Sequence, residues 1–252
     1  MKIFIVLPTY NEAQNLTPMV QQLLSLPLSE PNVLIIDDHS QDGTGQIADQ
    51  LHAGCPTQVF VMHRPGKLGL GTAYITGFQW ALDQGADCVI QMDSDFSHSP
   101  SYLPNFVSKI DQYDVVVGSR YVPGGKLDPR WSGWRFFLSK WANSIWVRLV
   151  LGTQVRDATA GFKCWSRRAL ERIRLDTVRS NGYIFQVEMA YLSEKLGLSV
   201  LEYPIYFEDR RIGKSKMTVP VKLEAAWRVF QIRMRYGALK KISRVEYERV
   251  SA

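Results

Sequence analysis

The sequence has 252 residues, of which 46% are hydrophobic, and carries a formal net charge of +6. This length and apolar fraction are enough for one large domain or two small ones. The three cysteines are odd in number, widely spaced and free of any CxxC pair, which argues against a disulfide framework or a cysteine zinc site and fits a reducing compartment.

The charge is distributed unevenly along the chain. Residues 1–119 contain 4 basic and 12 acidic side chains, whereas residues 120–252 contain 26 basic and 12 acidic ones. Such asymmetry indicates that the second half meets an anionic partner, for which nucleic acid, a phosphorylated substrate and an anionic membrane are the candidates. We expect no signal peptide, because Asn11 and Glu12 interrupt the apolar start, and no apolar run reaches the roughly 20 residues that span a bilayer.

The first half predicts strands that alternate with helices. Short apolar runs indicate strands at residues 2–7, 33–36, 58–62, 88–92 and 114–119, and apolar residues at helical spacing indicate helices at 12–26, 46–52 and 72–84. Asn11 or Thr9 is expected to cap the first helix. Strands and helices alternating at these lengths predict an α/β fold, with a mostly parallel sheet flanked by helices.

Two carboxylates, Asp93 and Asp95, come directly after the fourth predicted strand. In an open α/β sheet, ligands bind at the edge where the strands end. Mg²⁺ takes oxygen ligands and typically uses one or two carboxylates plus substrate phosphates. The pair therefore indicates a site for a metal and a diphosphate, although a lone Asp-x-Asp is more often a simple turn.

A glycine-rich loop at residues 63–71 lies between the third strand and the next helix. Together with Asp93 about 20 residues later, it imitates a dinucleotide-binding fingerprint. The third glycine is absent, because position 74 is Tyr74, and the loop does not follow the first strand. Gly66-Lys67 also lacks the spacing of a phosphate-binding P-loop, so we expect neither site, but a close approach of the backbone to a ligand stays open.

Two basic, aromatic helices are predicted beyond residue 130, at 131–151 and 219–241. The first carries an apolar stripe of Trp134, Phe137, Leu138, Trp141, Ile145 and Leu149, and the second one of Leu223, Ala226, Trp227, Phe230 and Met234. Aromatic residues on one face and basic residues on the other are typical of a helix that lies in a membrane interface. The alternative is a helix whose stripe packs on the core and whose basic face is solvated.

Several motifs in the first half resemble the successive signatures of the family 2 glycosyltransferases. They are Val6-Leu7-Pro8-Thr9-Tyr10-Asn11-Glu12, Ile35-Ile36-Asp37-Asp38-His39-Ser40 with Gln41-Asp42-Gly43-Thr44, Leu68-Gly69-Leu70-Gly71-Thr72-Ala73-Tyr74, and Met92-Asp93-Ser94-Asp95-Phe96-Ser97-His98. Motifs in the second half resemble the polyprenyl-phosphate (dolichyl-phosphate) mannosyltransferase branch of that family. These are residues 118–121, 157–163, 182–188 and 207–210, followed by 213–216.

The resemblance implies a GT-A fold, with a Rossmann-like, mostly parallel sheet, and a divalent metal, Mg²⁺ or Mn²⁺. It implies a nucleotide-sugar donor, normally GDP-mannose, and a polyprenyl phosphate acceptor. We expect a glycosyltransferase domain over residues 1–218, with a donor half at 1–119 and an acceptor half at 120–218. A basic amphipathic segment would follow at 219–252.

The resemblance also assigns roles to individual positions. Pro8, Tyr10, Glu12, Ile36 and Asp38 would hold the nucleoside, and Asp93, Ser94 and Asp95 the diphosphate and metal. Arg120, Arg210 and Lys216 would bind donor or acceptor phosphates, with Arg135 as a further cation for the acceptor. Ser94 replaces a common alanine, and Ser97 stands where some members place a glutamine metal ligand. His98 and the other three histidines have no metal-ligand spacing, and we expect surface or capping roles for them.

The chemistry of the acceptor decides whether a general base is needed. A phosphate monoester has a second pKa near 6 and is already a nucleophile at neutral pH. Cations are then required only to position it, and Arg135, Arg210, Lys214 and Lys216 are available. Glu188 is the one candidate base for a hydroxyl acceptor, and otherwise an ordinary pairing partner on a helix.

The resemblance therefore implies an inverting, metal-dependent glycosyltransferase, and the basic, aromatic helices indicate that it binds peripherally to the cytoplasmic face of an anionic membrane. Transfer of glucose from UDP-glucose is the alternative within this class, and nucleic-acid binding by the basic half is the alternative outside it. We expect no nucleic-acid partner, because paired carboxylates at a binding edge repel phosphates unless a metal intervenes. The sequence leaves open a membrane-anchoring partner subunit.

Overall fold

The computed structural model describes residues 1–130, 133, 142–182, 184–209 and 219–239. Along the described chain the strands are β1 (Ile3–Thr9), β2 (Pro31–Asp37), β3 (Val59–His63), β4 (Cys88–Gln91), β5 (Val115–Ser119), β6 (Lys126–Leu127), β7 (Lys163–Ser166), β8 (Val200–Pro204) and β9 (Tyr206–Phe207). The helices are α1 (Ala13–Leu24), α2 (Thr44–Gly54), α3 (Leu70–Asp83), α4 (Leu103–Val107), α5 (Arg148–Leu151), α6 (Arg167–Ile173), α7 (Ile184–Lys195) and α8 (Val219–Tyr236). A π-helical turn at Ala142–Val147 leads into α5, and single 3₁₀ turns occupy Pro100–Tyr102 and Leu175–Thr177.

Seven strands form one mixed sheet in the order β3-β2-β1-β4-β7-β5-β8. Neighbouring strands are parallel except at β7, which runs antiparallel to both β4 and β5. The β6 and β9 strands pair in parallel as a separate short ribbon. The predicted α/β class and mostly parallel sheet are confirmed. The five predicted strands and the three helices of the first half are present, with bounds shifted by at most two residues.

Helices cover both faces of the sheet and bury two apolar cores. The core on one face includes residues of α3, α5, α6, α7 and α8, and the other includes residues of α1, α2 and α4. Gly77 lets α3 lie directly on the sheet, because a Cβ there would come within 2.6 Å of Val6 Cγ1 and 2.7 Å of Ile36 Cδ1. The last helix of the described residues, α8, joins the first core through Val229, Ile232 and Tyr236.

The predicted caps of α1 are wrong. Thr9 donates its hydroxyl hydrogen bond across to Asp37 Oδ1 at 3.2 Å, and Asn11 Oδ1 accepts from the backbone N–H of Gln41 at 3.0 Å. The first amide of the helix, Ala13 N, instead donates to Asp42 Oδ2 at 3.1 Å. A neighbouring loop therefore supplies the cap, which the local sequence does not reveal.

Candidate active site

The carboxyl ends of four strands meet at one edge of the sheet. The parallel register places Pro8 beside Ile36 and Thr9 beside Asp37, while Val6 lies beside Gln91 of β4. Because β4 and β5 both run antiparallel to β7, they share one direction, and β5 also ends at this edge. Predicted site residues follow these strands directly, namely Tyr10, Glu12, Asp38, Asp93, Ser94, Asp95, Ser97 and Arg120.

Of the two aspartates after β2, Asp37 holds the local loop together. Its Oδ1 accepts from Ser40 Oγ at 2.5 Å and its Oδ2 from the backbone N–H of Ser40 at 3.1 Å. Asp37 is also buried. Its carboxylate is therefore committed to loop structure, which leaves Asp38 as the ligand-facing candidate.

Asp38 forms a buried ion pair with Arg64. Arg64 Nη1 lies 2.9 Å from Asp38 Oδ1, but this contact lacks hydrogen-bond geometry, and that oxygen has no hydrogen-bond donor among the described residues. Burial raises the pKa of Asp38, against the opposing influence of Arg64 and of the backbone N–H groups of Gly69 and Leu68. A buried acceptor without a donor is costly, so an N–H group of a bound base would stabilise it.

The other residues assigned to the nucleoside have mixed surroundings. Tyr10 lies beside the glycine-rich loop, with Lys67 Nζ 4.2 Å from its ring centroid. Glu12 Oε2 accepts from Asn15 Nδ2 at 2.8 Å, within the start of α1. Ile36 is fully buried beneath α3, and Pro8 pairs with it. Because the Ile36 side chain is buried, only its backbone can contact a ligand.

The Asp93-Ser94-Asp95 segment forms a turn that folds back on itself. Asp95 Oδ1 accepts from Ser97 N at 3.1 Å and from Ser97 Oγ at 2.6 Å. The turn is completed by Phe96, whose φ of 64° lies in the left-handed region. Tyr74 donates to Met92 O at 3.0 Å and approaches Asp93 Oδ1 at 3.3 Å. Both carboxylates are thereby held in fixed positions at the edge.

These residues fit a hard divalent cation. Asp93 and Asp95 supply carboxylate oxygens from one turn, and the Ser97 hydroxyl adjoins Asp95. Within the described ranges, no cluster of three or more His, Cys, Asp or Glu side chains suits a metal ion. This donor set therefore matches a cation that completes its shell with water and substrate phosphate, as Mg²⁺ does.

His98 lies beneath this turn, so the predicted surface or capping role is wrong for it. The residue is buried, and its ring stacks on Phe162 with centroids 4.9 Å apart. The backbone N–H of Asp93 donates to His98 Nδ1 at 3.0 Å. Because Nδ1 accepts this hydrogen bond, it carries no proton, and burial lowers the pKa of His98 against the opposing influence of Asp93 and Asp95. His98 thus supports the backbone of the first aspartate.

Arg120 is fixed by a buried carboxylate. Its Nε donates to Asp157 Oδ2 at 2.7 Å and its Nη2 to Asp157 Oδ1 at 2.6 Å. Nη2 also donates to Thr159 Oγ1 at 2.9 Å. Burial alone would lower the pKa of Arg120, but the Asp157 carboxylate raises it above its ordinary value. The site therefore contains an oriented, permanent cation whose partner the sequence did not identify.

A buried cluster of Lys163, Gln91 and Gln186 lies between the sheet and α7. Lys163 Nζ donates to Gln186 Oε1 at 2.9 Å, and Gln91 Nε2 donates to the same oxygen at 2.7 Å. Burial lowers the pKa of Lys163 to about 7, although Asp157 opposes this shift. The sequence analysis did not single out Lys163 as a site residue, although a lysine in a mostly apolar strand is a signal that could have identified it.

Glu188 is not placed as a base for a ligand. It is fully buried and accepts hydrogen bonds from Tyr236 Oη, Arg235 Nη1 and the backbone N–H groups of Arg179 and Ser180. Its pairing role is therefore the one that the structure supports. The remaining predicted cations, Arg135, Arg210, Lys214 and Lys216, lie outside the described residues.

Comparison with known proteins identifies relatives for almost the whole chain. The family model described as "Glycosyl transferase family 2" matches residues 4–174. An undecaprenyl-phosphate mannosyltransferase of Micrococcus luteus is 42% identical over 225 residues, which cover 89% of this chain and 91% of that protein. A polyprenol monophosphomannose synthase of Mycolicibacterium smegmatis is 41% identical over 229 residues, covering 90% and 85%.

Solved structures show the same fold. Glucosyl-3-phosphoglycerate synthase of Mycobacterium tuberculosis, in complex with Mn²⁺, UDP and phosphoglyceric acid, matches with a TM-score of 0.64 at 19% identity, covering 94% of this chain and 79% of that one. Its complex with Mn²⁺, UDP and glucosyl-3-phosphoglycerate matches with a TM-score of 0.62, also at 19% identity, covering 94% and 80%. The predicted GT-A fold is confirmed.

Proposed function

The chain belongs to glycosyl transferase family 2 and is a glycosyltransferase, and from this premise we propose that it transfers mannose from GDP-mannose to a polyprenyl phosphate. Transfer would invert the anomeric centre, giving polyprenyl phosphate β-mannose and GDP. The names of the Micrococcus luteus and Mycolicibacterium smegmatis relatives, both above 40% identity, support the sugar and the acceptor. The single observation that carries the proposal is the meeting of Asp38, Asp93, Asp95 and Arg120 at one edge of the sheet.

The donor half, residues 1–119, would bind the nucleotide sugar. Asp38 has an acceptor oxygen without a donor, and the Arg64 guanidinium holds it in place. Guanine offers two adjacent N–H donors to a carboxylate. Tyr10 directly follows β1, whose last residue, Thr9, accepts from the backbone N–H of Asp38 at 3.0 Å. The Tyr10 ring contributes an aromatic surface near Lys67.

Asp93, Asp95 and Ser97 would hold Mg²⁺ or Mn²⁺. When bound, the ion would neutralise the negative charge that develops on the departing diphosphate. Arg120 contributes to the same electrostatic stabilisation from the end of β5, because Asp157 fixes its orientation before the substrate arrives. Groups that are preorganised in this way cost no reorganisation during the reaction.

The acceptor half, residues 120–218, would bind the lipid phosphate. Arg210 and Lys216, together with Arg135, are proposed to position it. Asp209, which directly precedes Arg210, donates its backbone N–H to Asp128 Oδ2 at 3.0 Å. With Glu188 buried and occupied, a phosphate acceptor that needs no side-chain base is favoured over a hydroxyl.

A comparison of acceptors tests this point. A short polyprenyl phosphate should accept the sugar, and the matching polyprenol should not. The acidic limb of the rate profile should lie near the acceptor's second pKa, about 6, and should shift when a phosphonate of different pKa replaces the phosphate. Equal transfer to the polyprenol, or an acidic limb that stays at the same pH when the acceptor is changed, would instead favour a base-assisted reaction.

The membrane contact is proposed to come from the chain itself. None of the helices in the described residues is long and apolar enough to cross a bilayer. An exposed apolar patch is formed by α8 and the 142–151 segment that packs against it, and it comprises Ile145, Leu149, Trp227, Phe230, Met234 and, just after α8, Leu239. Trp146 packs against Phe230 with ring centroids 5.3 Å apart, which connects the π-helical turn at Ala142–Val147 to α8.

The buried face of α8 lies on the other side of the helix. Val229, Ile232 and Tyr236 enter the core, whereas Trp227 and Met234 are 62% and 72% exposed. Arg148, Arg233 and Arg235 are exposed near the patch, although Arg233 also donates to Val150 O at 2.6 Å and Arg235 to Glu188. Aromatic and basic residues together on an outward surface suit the cytoplasmic, anionic face of a membrane.

Flotation with liposomes tests the patch. Binding should require anionic lipid and weaken with salt, since each basic residue near such a surface contributes about 1 kcal/mol. A Trp227→Ser/Met234→Ser variant should bind several-fold more weakly, and Gln231→Ser, an exposed position on the same helix, should bind like the unmodified protein. Equal binding to neutral vesicles, or none to either kind, would contradict the proposal.

A further inference from the structure

A buried set of contacts connects α8 with the glycine-rich loop of the donor site. We call it the Glu188 clasp, and it consists of Glu188, Ser180, Asn181 and Tyr236. Glu188 is fully buried on α7, where an ionised carboxylate is stable only while donors surround it. Its partners come from two directions, α8 and the segment before α7, and Tyr236 also contacts that segment directly, with its hydroxyl 3.2 Å from Thr177 O.

The first direction is α8. Tyr236 Oη donates to Glu188 Oε1 at 2.6 Å, and Arg235 Nη1 donates to the same oxygen at 3.1 Å. Burial and the adjacent carboxylate raise the pKa of Tyr236 to about 12, so its hydroxyl remains a donor at any physiological pH. The end of α8 is thereby attached to α7.

The second direction is the segment before α7. The backbone N–H of Ser180 donates to Glu188 Oε2 at 2.6 Å. The next residue, Asn181, donates from Nδ2 to Leu68 O at 2.9 Å. At Gly71 a Cβ would lie 2.7 Å from Ser180 O, and at Gly69 it would lie 2.2 Å from Asn181 Oδ1. The segment and the glycine-rich loop are therefore in tight contact.

The glycine-rich loop in turn positions the residues at Asp38. Arg64 Nη2 donates to Thr72 Oγ1 at 2.6 Å, and Arg64 Nη1 approaches Gly69 O at 3.4 Å. The same Nη1 forms the ion pair with Asp38. A shift of Gly69 or Thr72 would thus move the guanidinium that orients the carboxylate.

We propose that Glu188 is a positioning residue through which the seating of α8 sets the glycine-rich loop for donor binding. If Tyr236 withdraws, the buried carboxylate loses its shortest side-chain hydrogen bond, and the 179–181 segment rearranges to compensate. The loop then loses the support of Asn181 and Ser180. Donor affinity consequently depends on the helix that also carries the apolar patch. The inference rests on the proposed function for the identity of the donor.

Binding of GDP in the presence of Mn²⁺, measured by calorimetry, tests the clasp with three variants. Tyr236→Phe and Asn181→Ala should each raise the Kd for GDP about fivefold, at the lower end of typical couplings between sites. The double variant should have about the same Kd for GDP as the single variant that binds it more weakly, because both substitutions act along one path. Gln231→Ala, exposed on the same helix and outside the clasp, should leave the Kd unchanged.

Hydrogen–deuterium exchange gives a readout that needs no nucleotide. Tyr236→Phe should speed exchange of amides in residues 66–72 while leaving β1 and β2 protected as before. Unchanged exchange in 66–72, unchanged Kd values, or fully additive effects in the double variant would overturn the clasp. A protein that fails to bind GDP but shows the localised exchange would retain the clasp and contradict only the proposed donor.

Discussion

Replacing Asp95 with alanine should lower transfer by about 10³-fold. The chain would lose a buried carboxylate that we propose to hold the metal, and metal stabilisation of transition-state charge amounts to several kcal/mol, where 1.36 kcal/mol corresponds to tenfold. Asp93→Ala should lower the transfer rate less than Asp95→Ala does, but still severely. Steady-state rates with GDP-mannose and Mn²⁺, together with Mn²⁺ binding followed by electron paramagnetic resonance, measure both steps.

Two controls separate this loss from misfolding. Asp95→Asn keeps the size of the side chain and an oxygen that can accept from Ser97, so it should fold normally and still fail to transfer. Asp111→Asn, at an exposed position far along the chain from the turn, should retain full rate. Undiminished turnover of Asp95→Ala in the presence of EDTA would reject the metal site.

Arg120→Ala should lower the free energy of unfolding by about 3–5 kcal/mol, which is typical of breaking a buried ion pair. Asp157 is fully buried and Arg120 nearly so, and removal of the guanidinium leaves an uncompensated carboxylate. Urea denaturation measures the change. Arg174→Ala, whose pair with Asp176 is exposed on both sides, should be almost neutral.

The double variant Arg120→Ala/Asp157→Ala identifies the mechanism. Because it removes the buried charge as well as its partner, it should be clearly less destabilised than the sum of the two single variants. Additive losses would mean that Arg120 and Asp157 stabilise the fold independently. Activity of both variants, measured well below their unfolding midpoints, should remain low because the oriented cation is gone.

The sequence predicted the sheet and its ligand-binding edge because both depend on local patterns. The apolar run of β4 ends at a polar turn, and the apolar run of β2 ends at Asp37, which Asp38 follows. Parallel strands separated by helices must end on the same side, so residues that follow different strands meet without any knowledge of their contacts. Asp38, Asp93 and Asp95 could be placed together on this basis.

The partners of those residues could not be predicted, because they come from strands and loops distant in sequence. Lys163 and Asp157 belong to the chain around β7, which inserts antiparallel between β4 and β5. No local spacing specifies that insertion. The burial of His98 beneath Asp93 and the pairing of Arg120 with Asp157 both follow from it.

The sequence likewise could not predict which face of α8 packs against the core. Its apolar residues lie on more than one side, and both a core-facing and an outward stripe fit the helical spacing. Packing against the first core selects Val229, Ile232 and Tyr236 for burial, which leaves Trp227, Phe230 and Met234 exposed. The remainder of the predicted first stripe, Trp134 to Trp141, lies outside the described residues.

The most direct test of the account is to determine which sugar this protein transfers, and to what. Purified protein with Mn²⁺ and a short polyprenyl phosphate would be given labelled nucleotide sugars one at a time, and the lipid product analysed by chromatography and NMR. We predict mannose transfer from GDP-mannose, with a coupling constant that shows a β-linked mannosyl phosphate. Preferred transfer of glucose from UDP-glucose, or a product with retained α configuration, would contradict the account.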